Sequence, residues 1–429
     1  MDLGAAGGGS ILVTVTGPDG PGIAGRLFDG LAPLGLPVLD VEQVHVHGQL
    51  FLCVEIGDRA PGAVAPAPFA AGRIRKALAA ALAAPPAGSG SPAGPGTDRL
   101  AVSVASLPTP AVAVAGPRHL VTVLAPVLGA SAMGGVFGRI AGCGGNVERI
   151  VRLATYPVTS YELEVSGADP AELRRQLGAE AAHLRVDLAV QQAGLHRRAK
   201  HLIVLDADST LLQGEVIDLL AGRAGCRDQV AAVTAAAMAG ELDFRQALEQ
   251  RLALLAGLDA GVLSDVRQDL ALAPGARTLV RTLRRLGFVT ALVSGGFVQV
   301  VEGLASDLGI DYVAANRLEV VDGKLTGRLV GPLVDRAGKA SALVTFAGLA
   351  GVPLSQTVAV GDGANDLDML AAAGLGIAFN AKPVVRHAAD TALNVPYLDA
   401  ILFLLGISRE EVEAADRAQD DRSAPSPPA

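Results

Sequence analysis

Hydrophobic and polar positions along the chain repeat one layout twice and then change to another. Residues 11–16 read as a strand, and Ile23, Leu27, Phe28, Leu31 and Leu34 then recur at helical spacing. Residues 38–45 and 50–56 read as two strands joined at Gly48. A helix over 71–83 and a strand over 100–104 follow, in the order βαββαβ. The second segment repeats that order: strand 120–124, helix 132–141, strands 147–154 and 160–165, helix 170–182 and strand 186–190. Pro170 stands at a helix start, where its missing N–H costs nothing.

Two βαββαβ units in tandem predict two ferredoxin-like modules, over residues 9–106 and 118–192. A Pro/Gly-rich stretch at 85–97 reads as a flexible insertion in the first module, and 107–117 as the linker between them. The basic run at 196–200 reads as a solvated linker. From residue 201 the pattern changes. Short apolar strands at 201–205, 289–293 and 357–360 alternate with helical stretches at 276–286, 297–308 and 340–349. Fully apolar strands between helices predict an α/β parallel sheet covered on both faces, a Rossmann-like core over 200–407. Residues 215–273 are helical in pattern throughout and read as a cap inserted after the first strand. The stretch 408–429 is charged and then Pro/Ser-rich, and reads as a disordered tail.

Composition narrows the function. A formal net charge of −8 over 429 residues argues against nucleic-acid partners and a basic membrane-surface patch. No stretch of ~20 apolar residues reads as a membrane span, and the N-terminus lacks a signal-peptide pattern. The three cysteines, Cys53, Cys143 and Cys226, form no CxxC pair, which predicts free thiols and a cytoplasmic protein.

Four motifs then carry chemistry, three of them at apolar strand ends, where sheets of this kind bind ligands. Asp206-Ala207-Asp208-Ser209-Thr210 places two carboxylates on one tight loop. One could attack phosphorus and the other could move a proton. Ser294-Gly295-Gly296 offers a hydroxyl and backbone N–H groups to phosphate oxygens. Lys339, at a helix start, could neutralise phosphoryl charge. Gly361-Asp362-Gly363-Ala364-Asn365-Asp366 supplies carboxylates suited to a hard cation, Mg²⁺. Each motif alone could be a capped turn; all four in this order form a phosphoryl-transfer set.

In that order the segment from about 201 to 399 resembles the haloacid dehalogenase-like phosphatases, and within them the phosphoserine phosphatase family. The resemblance implies Asp206 as nucleophile and Asp208 as acid and base. It implies Mg²⁺ held by Asp206, the Asp208 backbone carbonyl and Asp362, with Asp366 orienting the metal shell. It assigns Ser294, Gly295, Lys339 and Asn365 to the phosphoryl group, Glu215 to the substrate ammonium and Arg251 to its carboxylate, with Met238 and Phe244 covering them. The tandem modules resemble ACT domains, the amino-acid-sensing ferredoxin-like fold. Their resemblance implies an effector, serine, at Asp19, Gly20 and Gly22, and a homodimer formed through these domains. The second module departs from the pattern: its loop at 125–130 lacks the Asp and most glycines, which leaves it a structural or dimerising role. The competing readings are a phosphatase or phosphotransferase for another small phosphomonoester, and an amino-acid-binding regulator with a silent catalytic domain.

Overall fold

The computed structural model describes residues 9–57, 71–83, 100–107, 118–194, 197 and 199–423. It divides into two units, 1–114 and 115–429, which are taken in turn.

In the first unit, β1 (Ser10–Pro18), β2 (Val38–Val46), β3 (Gln49–Gly57) and β4 (Ala101–Leu107) form an antiparallel sheet in the order β2-β3-β1-β4. Ile11, Val13 and Val15 of β1 alternate inward, as a strand with one covered face requires. They pack with Ile23, Leu27 and Leu31 of the helix Ile23–Leu31 and with Ile74, Leu78 and Leu82 of the helix Ala71–Ala83. The two helices touch closely at Gly30, where an added Cβ would lie 2.8 Å from the Ala81 Cβ. Edge strand β2 differs from the others, because all nine of its residues are exposed. The inserted stretch expected at 85–97 lies outside the described residues, as does the linker after Leu107.

The second unit opens with β5 (His119–Ala125), the helix Ala130–Gly142, β6 (Asn146–Ala154), β7 (Thr159–Ser166), the helix Pro170–Leu184 and β8 (Asp187–Gln192). There follow β9 (Leu202–Asp206), β10 (Val289–Phe297), β11 (Tyr312–Val321), β12 (Lys324–Val330), β13 (Thr357–Gly361), β14 (Gly376–Phe379) and β15 (Thr391–Leu393). Strands β11, β10, β9, β13, β14 and β15 run parallel, and β12 closes one edge as an antiparallel hairpin. All five residues of β9 are buried, as a central strand covered on both faces demands. Five α-helices stand between β9 and β10 among the described residues: Val216–Ala224, Arg227–Met238, Phe244–Ala253, Val262–Asp269 and Ala276–Arg285. The third begins with a capping box between Asp243 and Gln246.

Two sequence readings need correction here, and a third gains a connection. The second ferredoxin-like unit forms as expected, with four strands and two helices, and it adjoins the core. Its sheet, β8-β5-β7-β6, continues the parallel sheet into one of eleven strands through an antiparallel bridge of Thr391 with Ala189. The buried Asp187 seals that seam, accepting from the backbone N–H of Asn394 (2.6 Å) and Val395 (3.1 Å) and from Asn394 Nδ2 (2.6 Å). Arg197 and Lys200 of the basic run are not solvated, against the linker reading. Arg197 is buried, pairs with Glu162 and donates to the carbonyls of Leu404 and Phe403, while Lys200 donates to the Ser355 carbonyl at 2.6 Å. Helix-end carbonyls explain Arg197, since the last carbonyls of the helix Ile401–Leu404 have no partner inside it. Finally, the expected disordered tail starts as a helix, Arg409–Ser423. Ser408 and Glu411 exchange capping bonds at its start, Val412 is buried, and Arg281 and Arg285 both pair with Asp416. Residues 424–429 lie outside the described residues.

Candidate active site

Strand β9 delivers Asp206 to the sheet's C-terminal edge at 2% exposure. The chain then turns tightly through Ala207–Leu211, with Ser209 in the left-handed region at φ 57°. That turn brings Asp208 beside the start of the cap. The N–H of Val216 donates to Asp208 Oδ1 at 2.8 Å, and Ser294 Oγ donates to Oδ2 at 3.2 Å. Ser294 comes from the neighbouring parallel strand β10 and is itself held by the Gly296 N–H at 2.8 Å.

Lys339 enters in the first turn of the helix Arg336–Ala350, which Asp335 caps. Its ammonium, 1% exposed, donates to Asp206 Oδ1 at 2.6 Å and to Asp366 Oδ1 at 2.7 Å. Burial alone would lower the Lys339 value, but the two carboxylates outweigh it and raise it. Burial pushes Asp206 up, with Lys339 opposing. We read Lys339 and Asp206 as an ion pair, because the ammonium lies at hydrogen-bond distance from the carboxylate, out of water. Asp366 is spent structurally, since its Oδ2 accepts from the Gly363 N–H at 2.9 Å. The glycines of this loop make room for it. A Cβ on Gly361 would fall 2.4 Å from Asp366 Cγ, and one on Gly363 would fall 2.1 Å from Asn365 Oδ1.

Oxygen ligands of Asp206, Asp362 and Asp366 lie within 4.8 Å of one another. Asp366 has both oxygens engaged by Lys339 and Gly363, whereas Asp206 keeps Oδ2 and Asp362 keeps its carboxylate for another partner. A hard, oxygen-preferring cation such as Mg²⁺ fits this donor set, with Asp206 and Asp362 as ligands and Asp366 as the residue that steadies them. Burial, with Asp366 adding, raises the Asp362 value to about 6; a cation there would favour the charged form.

Above these groups is a cavity of about 350 Å³ lined by Asp206, Asp208, Lys339, Asp362 and Asn365 from the core and by Glu215, Phe244 and Arg251 from the cap. Gly295 lines it too, with an open face toward Phe244, whose Cζ would be 3.7 Å from a Cβ there. Ser294 and Asp366 lie just beneath, fully buried. The Met238 side chain lies outside the described residues. Enclosure in the cleft pushes Glu215 up to about 7, with Asp208, Asp218 and Asp362 adding and Arg251 opposing. Its side chain still meets the water of the cavity, so the effect falls on its protonation and not on the stability of the fold. Arg251 is half-buried and lowered by loss of water, with Glu215 opposing. A wider hollow of about 500 Å³ beside Arg223, Arg227 and Asp269 holds no comparable set; Arg223 there pairs with Asp269.

Known proteins resemble this chain over both its phosphatase-like core and its N-terminal units. Residues 203–371 match the haloacid dehalogenase-like hydrolase family, and residues 10–78 and 117–191 each match the ACT domain. A phosphoserine phosphatase of Streptomyces coelicolor is 53% identical, over 96% of this chain and 96% of its own. One of Mycobacterium tuberculosis is 50% identical over 95% of each. The chain belongs to the phosphoserine phosphatase family. Among solved structures, a haloacid dehalogenase-family hydrolase of Salmonella enterica serovar Typhi has a TM-score of 0.60 at 27% identity, over 67% of this chain and 98% of that one. A structure titled as a probable phosphoserine phosphatase of Vibrio cholerae has a TM-score of 0.52 at 34% identity, over 70% and 88%. The architecture of this phosphoserine phosphatase family member is thus a haloacid dehalogenase-like core with N-terminal ACT domains.

Gly296, which the sequence offered as part of the Ser-Gly-Gly motif, packs directly against Ser294 and Asp208. Lys382 also lines the cavity; sequence reasoning passed over it, and nothing local in the sequence marks it. In the first unit, Asp19, Gly20 and Gly22 do lie together between β1 and the helix Ile23–Leu31. Asp19 Oδ1 accepts from the Gly20 N–H at 2.9 Å, its Oδ2 is 3.6 Å from His45 Nε2, and Gly22 takes φ 84° at the helix start.

Proposed function

We propose that this enzyme hydrolyses O-phospho-L-serine to L-serine and phosphate, with Mg²⁺ and through an aspartyl-phosphate, as the last step of serine synthesis. The observation that carries the reading is one cavity with Asp206, Asp208 and Lys339 at its floor and Glu215 and Arg251 at its roof. Arg251 would bind the substrate carboxylate through both oxygens, and Glu215 its ammonium. A ligand so held presents its phosphate to Asp206.

In the first step an Asp206 oxygen bonds to phosphorus as the ester P–O bond breaks, and Asp208 gives its proton to the departing serine oxygen. Burial raises the Asp208 carboxyl, which favours its holding a proton until then. In the second step water attacks the phosphorus of the aspartyl-phosphate and gives a proton to Asp208. The acyl-phosphate bond breaks, returning Asp206 and releasing phosphate. Mg²⁺, held by the carboxylates of Asp206 and Asp362 and the Asp208 carbonyl, would offset phosphoryl charge throughout. Ser294 orients Asp208, and Lys339 keeps Asp206 ionised and fixed.

We place the enzyme in the cytoplasm, where its three free thiols would stay reduced. Among the described residues, no helix is long and apolar enough to cross a membrane. The ACT domains would bind an amino-acid effector, serine, at Asp19, Gly20 and Gly22, and would join two copies. The exposed apolar residues Val38, Leu39, Val41, Val44 and Val46 of edge strand β2 support such pairing.

The test is phosphate release from a panel of phosphomonoesters, with and without Mg²⁺ and with added serine. Phosphoserine is expected to lead the panel, and Asp206→Asn to abolish its turnover. An Asp206→Asn protein that still releases phosphate at the parent rate removes the mechanism. Equal turnover of phosphoserine before and after Arg251→Ala removes the substrate assignment and favours another small phosphomonoester.

A further inference from the structure

The cavity contains a cation that the reaction as described does not use. Four carboxylates line it against three cations, Arg251, Lys339 and Lys382. Lys339 is already committed to Asp206 and Asp366. Arg251 comes from the cap and faces Glu215, far in sequence from the phosphoryl loops. Lys382 alone among the three forms no ion pair and no side-chain hydrogen bond with the described residues.

Its backbone, by contrast, is fixed. Asn380 takes the left-handed conformation at φ 45° and donates to the Leu393 carbonyl at 2.7 Å, which ties this loop to the end of β15. The Lys382 N–H points at the Asp362 carbonyl, 3.4 Å away, beside the end of β13. Pro383 then starts the helix Pro383–Ala388, and the Lys382 carbonyl accepts from Val385 at 3.0 Å and Arg386 at 3.1 Å. A flexible, solvated ammonium thus hangs from an anchored backbone at the wall of a cavity that must admit a phosphate dianion past several carboxylates. Such a charge attracts the anion and contacts it without the cost of breaking an existing pair.

We propose that Lys382 is a phosphate-binding residue of this site: its ammonium draws the phosphoryl group of the substrate into the cavity and contacts the same group in the phosphate product. The assignment deepens the phosphoserine phosphatase reading and rests on it only for the identity of the organic part.

The test uses the full-length Mg²⁺-loaded enzyme with Lys382→Met and Lys382→Arg. Inhibition by inorganic phosphate is measured with phosphoserine and with p-nitrophenyl phosphate as substrates, at several ionic strengths. Lys382→Met is expected to raise KM for phosphoserine and Ki for phosphate together, each about fivefold, with kcat moving less than either. It should also flatten the fall of kcat/KM with added salt, and Lys382→Arg should restore most of both. A phosphate Ki and a salt slope unchanged in Lys382→Met overturn the proposal. So does a Lys382→Arg enzyme as weak for phosphate as Lys382→Met, which would show that packing and not charge was lost. A protein that ignores phosphoserine but hydrolyses p-nitrophenyl phosphate defeats the substrate reading, while its phosphate Ki still judges Lys382.

Discussion

Gly296→Ala tests whether the geometry around Asp208 governs turnover. Gly296 has no positive φ, so alanine is acceptable to the backbone and the whole effect is local crowding. The new Cβ would lie 2.9 Å from Ser294 Oγ, 3.0 Å from Asp208 Oδ2 and 3.7 Å from Val216 Cβ. An unstrained carbon–oxygen contact needs each oxygen to retreat by about 0.4 Å. The Ser294–Asp208 bond is already 3.2 Å long, so a shift of that size separates the pair. Displacement of a reacting group by about 1 Å can cost ~10²-fold, so a shift of about half that predicts a fall in kcat of roughly 10-fold. Overpacking should cost ~1–3 kcal/mol, a fall of several degrees in Tm. Gly295→Ala is the comparison. Its Cβ would meet nothing closer than Phe244 Cζ at 3.7 Å, so KM should change more than kcat. Steady-state kinetics and thermal melts on both variants decide the matter. A Gly296→Ala enzyme with kcat within twofold of the parent would refute the claim that Ser294 and Asp208 must keep this spacing.

Two further outcomes follow from the charges. Glu215, raised to about 7, is negative above that pH and neutral below it, so its hold on an ammonium is lost as pH falls through about 7. The ratio of kcat/KM for phosphoserine over 3-phosphooxypropionate, the same skeleton without the ammonium, should therefore drop by up to about tenfold per unit below pH 7. Glu215→Gln should flatten the ratio, and a flat ratio in the parent enzyme would be the contrary result. Asp187→Ala leaves the N–H groups of Asn394 and Val395 and the Asn394 amide without their buried acceptor, at a cost of ~2–4 kcal/mol. Its melting temperature should fall by roughly 3–6 °C; melting alongside the parent would mean that the seam between β8 and β15 contributes little.

What the sequence made legible was whatever is local. The spacing of Asp206 and Asp208 follows from one tight turn, and Asp362, Asn365 and Asp366 from another. Strands β9, β10 and β13 were readable because they are buried on both faces and therefore apolar throughout. Strands β14 and β15, four and three residues long, give no periodicity to read. The hairpin of β11 and β12 did have a signal, Asp322-Gly323 with φ 50° and 75°, between two alternating runs. The helix Arg409–Ser423 had one too, the pair Ser408 and Glu411 in capping-box spacing, hidden by the charge of the residues after it. Lys382 had none, because its place beside Asp362 exists only once β14 lies against β13.

The seam between β8 and β15 gives the second ACT domain a role that does not depend on the Asp and glycines found in the loop at 17–23 of the first. A parallel sheet that ended at β15 would expose an edge of three residues, with the buried N–H groups of Asn394 and Val395 behind it. Unpaired edges and unsatisfied buried amides are both costly. Strand β8 covers the edge and Asp187 satisfies the amides, so the domain supplies structure that the core cannot supply for itself. Arg197 and Gln191 add to this by donating to the last carbonyls of the helix Ile401–Leu404. From β15 the sheet passes through β14 to β13, whose end bears Asp362, and Asn380 joins the end of β15 to the loop that carries Lys382. The wall of the cavity on that side is therefore braced by a domain whose sequence resembles a sensor, and bracing requires its sheet edge and not the loop at 125–130.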